Sequence, residues 1–282
     1  MIQVLEDRRV YLDYGPIQMV IDVYVKDLRS YKIGQEVAVQ VIEQINLMKP
    51  WIHVAKSVQP SLEKWLSYPL VLQKMILALQ QVSDGSYTPL VAVAGSFSEF
   101  AMEKAMELGG TRVIVNNGGD IAFRDIEDKP FVVAIPLTGH LSGSHLSVTM
   151  NKEMGIEGIC TSGLGGRSFT KGIADQGVAM SGKASIADIC ATMIANETIV
   201  EDDHILRGLS EEIDSETDIP GARVTIKCGP LEKKQIWKAL LRGYTTAEKL
   251  YEKRIIKGGI MVVQGEIMMI PENIAKMNVN GG

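Results

Sequence analysis

Apolar and polar residues alternate in short runs at the start of the chain. Arg8–Asp13 and Ile17–Val25 flank Tyr14-Gly15-Pro16, a pattern that predicts a β-hairpin. Between Gly34 and Met48 the period lengthens. Val37, Val41, Ile42, Ile45 and Met48 fall at helical spacing. Pro50, Pro60 and Pro69 then break the chain into short helices or loops around Trp51 and Trp65. Leu70–Val82 is apolar on most sides and predicts a buried helix, ended by Ser83-Asp84-Gly85-Ser86. Leu90–Gly95 reads as a short buried strand. Phe97–Leu108 follows as a helix, with Ser96 or Ser98 as N-cap and Gly109-Gly110 as the stop.

The stretch Val113–Phe123 is the centre of the pattern. It predicts an apolar strand, an Asn116-Asn117-Gly118-Gly119 corner, Asp120, and a second apolar strand. Glycine at both corner positions admits positive φ and the close approach of a ligand. The same pattern fits a plain hairpin whose Asp120 serves its own turn.

Further strands are predicted at Phe131–Leu137, His145–Met150, Glu157–Thr161, Val178–Met180 and Ala222–Lys227. Ser185–Asn196 is a helix of small and apolar residues with Asp188 inside it. Glu232–Arg254 is a long helix. Gly258–Gln264 and Glu266–Ile270 form a closing hairpin, and the tail from Asn278 is expected to fray. Glu197–Asp218 is acid-heavy and reads as a solvated helix and loop. Strands come in runs with several helices between them, without strict βαβ alternation. The expected class is therefore α+β with a mostly antiparallel sheet. No Pro/Gly/Ser linker divides the chain, so a single domain over residues 1–282 is expected.

Composition narrows the function classes. A net charge of −5 with scattered Lys and Arg leaves no basic stripe for phosphate backbones, which excludes a nucleic-acid binder. No run reaches the ~20 apolar residues of a membrane span, so a membrane partner is not expected. The acidic residues near Met1 do not fit a signal peptide. Cys160, Cys190 and Cys228 are dispersed, without CxxC or histidine at metal spacing. That argues against structural zinc and suits a reducing cytoplasm.

Several residues could carry chemistry. Asp188 and Thr192 are four apart on a predicted helix and present two oxygen ligands to a hard cation such as Mg2+. The alternative is a carboxylate favouring the helix dipole and a hydroxyl bonded back to its own helix. Cys160 stands at a strand end before the loop Thr161-Ser162-Gly163-Leu164-Gly165-Gly166-Arg167-Ser168, whose amides could lower its pKa. A small buried hydrophobe fits the same position. Arg167 is placed to clamp a phosphate or carboxylate. His140 and His145 fit acid–base or phosphate-binding roles, or a polar loop.

Four stretches in order resemble the motifs of the UPF0280 family, a distant branch of the ApbE-like superfamily. They are Pro89–Phe100, Val115–Ile121, Gly158–Ser162 and Ala187–Thr192. The resemblance implies the ApbE-type, T-fold-related α+β fold. In the better-known branch that fold binds FAD and Mg2+ and transfers FMN to a protein hydroxyl.

By resemblance, Asp188 and Thr192 are metal ligands, completed by a backbone carbonyl near Gly95–Phe97. Gly95, Ser96, Phe97, Ser98, Asn116, Asn117, Gly118, Gly119, Asp120, Thr161, Ser162 and Arg167 line a ligand site, and Asp188, Cys160 and Asp120 are its candidate catalytic groups. The chain departs from the flavin-transferase pattern twice. Ser98-Glu99 stands where that branch has Lys-Gly, and Thr170–Gly177 replaces a His-rich stretch ending in Asp-Pro-x-Thr-Gly. Both departures count against FMN transfer.

The leading reading is a pocket for a flavin or another anionic nucleotide ligand, with Mg2+ and FAD as implied cofactors. A second, which the family resemblance suggests, is a thiol role for Cys160 in sulfide-dependent homocysteine formation, with a protein partner in sulfur or redox metabolism. A third is a non-catalytic binding subunit. A homodimer is the expected assembly.

Overall fold

A computed structural model describes residues 1–279 except 83–84, 138–140, 167, 216 and 218. In chain order the strands are β1 (Ile2–Val4), β2 (Val10–Tyr14), β3 (Ile17–Val25), β4 (Leu28–Arg29), β5 (Arg112–Asn117), β6 (Asp120–Asp125), β7 (Phe131–Pro136), β8 (Ser144–Met150), β9 (Gly158–Ser162), β10 (Gln176–Ser181), β11 (Ile205–Leu209), β12 (Arg223–Cys228), β13 (Gly258–Val263), β14 (Glu266–Ile270) and β15 (Lys276–Val279). The α-helices are α1 (Tyr31–Met48), α2 (Ile52–Ala55), α3 (Leu70–Val82), α4 (Val93–Glu107), α5 (Ala184–Glu197), α6 (Ser210–Ile213) and α7 (Lys233–Glu252). The fold is α+β, and every strand pair of known register is antiparallel.

The chain forms two compact units. The first comprises Met1–Lys129, Gly155–Cys160 and Ser181–Ile189; the second comprises Pro130–Met154, Thr161–Met180 and Cys190–Gly282. In the first unit the strands run in the order β1-β2-β3-β5-β6-β9, with β4 beside β3. Period-2 alternation sends Met19, Ile21 and Val23 of β3 and Val113 and Val115 of β5 into the core. Helix α4 packs on β5 and β6, and α1 packs on β2, β3 and α4. In the second unit β15-β8-β7 form one sheet, β11 and β12 a ribbon, and β10 pairs with β13, which pairs with β14. Helix α7 covers β13 and β14.

Most predicted elements are present. The two hairpins, the helix Leu70–Val82 and the closing β13–β14 turn fall where the pattern puts them. The Ser83-Asp84 part of the helix stop lies outside the described residues.

Three expectations change. Leu90–Gly95 is not a strand: Pro89–Ala92 is a 3-10 turn, and α4 starts at Val93. Proline at the first position sets a helical φ, and a short apolar run does not distinguish strand from buried helix. Ser96 and Ser98 therefore lie inside α4 and do not cap it. The acid-heavy segment contains β11, which pairs with β12 from 223 onward. The tail does not fray at Asn278: β15 pairs with β8, and the Asn278 amide donates to Ser147 Oγ at 2.7 Å. The predicted stop of α4 holds, because Gly109, at φ 97°, donates to the Met106 carbonyl at 3.0 Å and Gly110 to that of Ala105 at 2.9 Å.

Candidate functional site

The β5–β6 corner is a two-residue turn in which Asn117 pairs with Asp120. Gly118 and Gly119 have φ of 66° and 107°, a geometry that favours glycine. Asn116 is exposed, and its Oδ1 accepts the Gly119 amide at 2.9 Å. Asn117 is buried and donates from Nδ2 to the Ala94 carbonyl at 3.3 Å, tying the corner to the start of α4. Ser98 Oγ donates to the Asp120 carbonyl at 2.8 Å, one turn further along the same helix.

Helix α4 and the first turns of α5 cap each other. The Asp188 carboxylate, on α5, accepts the Gly95 amide at 2.8 Å and is also bonded by the Ala94 amide. These are two of the donors that the first turn of α4 cannot satisfy internally. In the other direction the Glu99 carboxylate, on α4, accepts the Ser185 amide at 3.1 Å and its hydroxyl at 2.7 Å. Glu99 also pairs with Lys74 of α3 at 2.9 Å, and Lys74 reaches Glu103 at 2.7 Å. Gly95 makes the crossing possible. A Cβ there would lie 2.3 Å from the Ala184 carbonyl oxygen and 2.8 Å from Asp188 Cβ.

The electrostatics follow from this packing. Asp188 is half-buried as a residue, but its carboxyl is enclosed, and that desolvation pushes it well above the usual carboxylate range. The neighbouring Asp120 pushes it further, and the Gly95 and Ala94 amides oppose both. Glu99 behaves in the opposite way. Burial would raise it, but Lys74 and the Ser185 donors outweigh burial and hold it below its ordinary value. Two acids on packed helices thus differ because Lys74 stands beside Glu99 while a second acid, Asp120, stands near Asp188.

Cys160 is fully buried on β9, and its thiol donates to the Ala184 carbonyl at 3.3 Å. Burial, then Asp120 and Asp188, push this thiol well above the ordinary cysteine value. The expected lowering by loop amides is therefore not what surrounds Cys160.

The first unit brings together Gly95, Ser98, Asn117, Asp120, Cys160 and Asp188. Ser96 and Phe97 are buried in α4, and Ser96 Oγ has no hydrogen-bond partner among the described residues. Thr161, Ser162 and Thr192 belong to the second unit and are half-buried there, Thr192 one helical turn beyond Asp188 on α5. Arg167 and His140 lie outside the described residues, and His145 is half-buried on β8.

The Thr170–Asp175 stretch is held by backbone amides. Asn196 Oδ1 accepts from Lys171 at 2.9 Å, Thr198 Oγ1 accepts from Ile173 and Ala174 at 2.9 Å each, and Asp175 accepts the Gln264 amide at 2.6 Å.

Sequence reasoning did not assign the roles of Glu99 and Lys74, and Ser185, which it reads as the cap of the Asp188 helix, lies inside the first turn of α5. The available signal was an acid flanked by Phe97, Phe100 and Ala101 on a helix, where a carboxylate needs a buried partner. Among the described residues no group of three or more His, Cys, Asp or Glu side chains is arranged to hold a metal ion. Asp120 and Asp188 are a pair.

A family model described as "AbpE bacteria" matches residues 2–269. A UPF0280 protein from Methanococcoides burtonii is 38% identical over 131 residues, covering 46% of this chain and 53% of that protein. One from Methanosarcina barkeri is 38% identical over 130 residues, covering 46% and 49%. One from Methanothermobacter thermautotrophicus is 34% identical over 139 residues, covering 48% and 51%. The chain spans about half the length of these curated relatives.

Proposed function

The chain belongs to the AbpE bacteria family, and from that premise we propose that it binds a small anionic ligand of the flavin-nucleotide class through a divalent cation at Asp120 and Asp188. One observation carries this reading. The first two turns of α4 hold both acids, Asp188 through the Gly95 amide at 2.8 Å and Asp120 through the Ser98 hydroxyl on its carbonyl at 2.8 Å, and the Asp120 charge is among the influences that raise Asp188. Such a pair is stabilised by a proton or by a cation. The donor set fits a hard ion, and Asp120 and Asp188 are the residues that would hold Mg2+.

Mg2+ usually keeps several waters and is bound by one or two carboxylates plus ligand phosphates, so a two-carboxylate site suits it. A bound Mg2+ would neutralise the charge of a diphosphate. The protein's own part is orientation. The α4 amides fix one Asp188 oxygen, and the Ser98 hydroxyl and Asn117 amide anchor the corner that carries Asp120. FAD and Thr192 enter this reading only through the resemblance to the ApbE-like superfamily.

Transfer of FMN to a protein is not part of the proposal. At the position of the transferase Lys-Gly pair, Ser98 and Glu99 are engaged in the corner and in the α5 cap. A sulfur-carrying Cys160 finds no support either, because the thiol is buried beside two acids.

The test is FAD fluorescence titrated with metal-stripped protein, with and without Mg2+, in the wild type and in Asp188→Asn. Mg2+-dependent quenching that the substitution abolishes is the expected result. Quenching that ignores both Mg2+ and Asp188 refutes the cation bridge. No binding at all favours a non-catalytic subunit on the same scaffold.

A further inference from the structure

The segment between α1 and α3 has no part in the site described above. Residues 49–70 hold two 3-10 turns, the short helix α2 and a connecting loop. The loop has a small core of its own. Tyr68 is buried, its ring packs edge-on against Trp51 at 4.9 Å and against Trp65 at 6.4 Å, and its hydroxyl donates to the Ser61 carbonyl at 2.6 Å. Lys64 lies over the Trp51 ring at 5.9 Å.

This core holds a set of aliphatic side chains outward. Leu66 is 94% exposed, and Ile52, Val58, Leu62 and Leu70 are 44–50% exposed. Lys49, Lys56 and Lys64 are exposed among them against the single carboxylate of Glu63, in a chain whose net charge is −5.

We propose that residues 49–70 form a docking surface for an anionic lipid bilayer. Single protruding aliphatic residues suit a soft apolar phase. Tryptophan at the boundary suits the headgroup region, and the lysines match the sign of an anionic leaflet. A second copy is disfavoured, because a two-fold contact through this patch would set the three lysines against their own equivalents. Among the described residues no helix is long and apolar enough to cross a membrane, and attachment at the surface requires none.

The experiment is co-sedimentation of the 282-residue chain with vesicles of phosphatidylglycerol and phosphatidylcholine, and with vesicles of phosphatidylcholine alone. Tryptophan emission is followed in a Trp237→Phe background, which leaves Trp51 and Trp65 as reporters. Binding to the anionic vesicles with a blue shift is expected. Leu62→Glu/Leu66→Glu should weaken it by at least about tenfold, because the burial of two leucines is lost. Neutralising Lys49, Lys56 and Lys64 to glutamine should weaken it roughly fivefold per lysine.

Both sets of substitutions fall on exposed side chains, so the circular dichroism melting curve should stay in place. Absence of binding to anionic vesicles overturns the proposal. So does binding that neither variant weakens, and so does a dimer in light scattering that Leu66→Glu dissociates, which assigns the patch to a second copy.

Discussion

The α4–α5 crossing is tested most directly by Gly95→Ala. Two effects oppose each other. Alanine is the better helix former and favours α4 by about 1 kcal/mol. The new Cβ, however, would stand 2.3 Å from the Ala184 carbonyl oxygen and 2.8 Å from its carbonyl carbon, far inside contact distance. That neighbour is backbone within α5 and cannot rotate away, so the helices must separate. Overpacking of this kind costs about 1–3 kcal/mol or more. Separation also lengthens the 2.8 Å bond from the Gly95 amide to Asp188, worth a further ~1–2 kcal/mol. The steric effect wins, with a net loss of about 1–4 kcal/mol.

Urea denaturation followed by circular dichroism reads this directly, and Tm should fall by ~2–4 °C per kcal/mol. In a double-mutant cycle with Asp188→Ala, which removes the acceptor, the two losses should be less than additive, since both act on the same amide bond. A Gly95→Ala protein as stable as the wild type, or more so, would refute the crossing. Full additivity would refute the amide–carboxylate link.

Asp188 carries a pH signature. Its folded pKa lies above the ordinary 3.8, so the folded protein keeps a proton that the unfolded chain has released. Stability that is present below about 3.8 is lost as pH rises through the folded value, and the proton belongs to the pair with Asp120. Asp188→Asn should therefore gain on the wild type as pH rises, by about 1.4 kcal/mol for each unit of upward shift; an unchanged difference between pH 4 and 9 in urea titrations argues against an interacting acid pair. Glu99→Gln should cost about 1–3 kcal/mol at pH 7, because Lys74 and the start of α5 lose a charged acceptor. Glu99 is held below its ordinary 4.5, so its contribution is present above 4.5 and is lost as pH falls through the folded value; the gap to the variant should close on acidification, and a gap constant down to pH 3 would contradict the assignment. Finally, iodoacetamide under native conditions should label half-buried Cys228 and spare Cys160 and Cys190, read by peptide mass spectrometry; rapid labelling of Cys160 would overturn its placement.

Much of the architecture was legible because it rests on short-range chemistry. Gly118-Gly119 between apolar runs specifies a tight hairpin whatever surrounds it, and the helical period of Leu70–Val82 fixes that helix to the residue. The site was legible only as ordered motifs. Those motifs named Gly95, Asn117, Asp120, Cys160 and Asp188, and the first unit does bring them together.

The reasons for those residues were not legible. Gly95 permits close approach, and what approaches is α5. Glu99 stands at a departure from the flavin-transferase pattern, and it is the cap of a helix 86 residues away. The start of α4 was misplaced by this same route, since its capping carboxylate lies 93 residues further along the chain. Local propensity acts over a few residues, and so the sequence by itself determined the corner, the helices and the alternation that buries one face of each strand. Whether an acid is charged or a thiol is reactive depends on desolvation and on charges brought in from distant segments. Only the tertiary structure therefore decided that Glu99 is held below its ordinary value by Lys74, while Asp188 and Cys160 are pushed up with Asp120 among the causes.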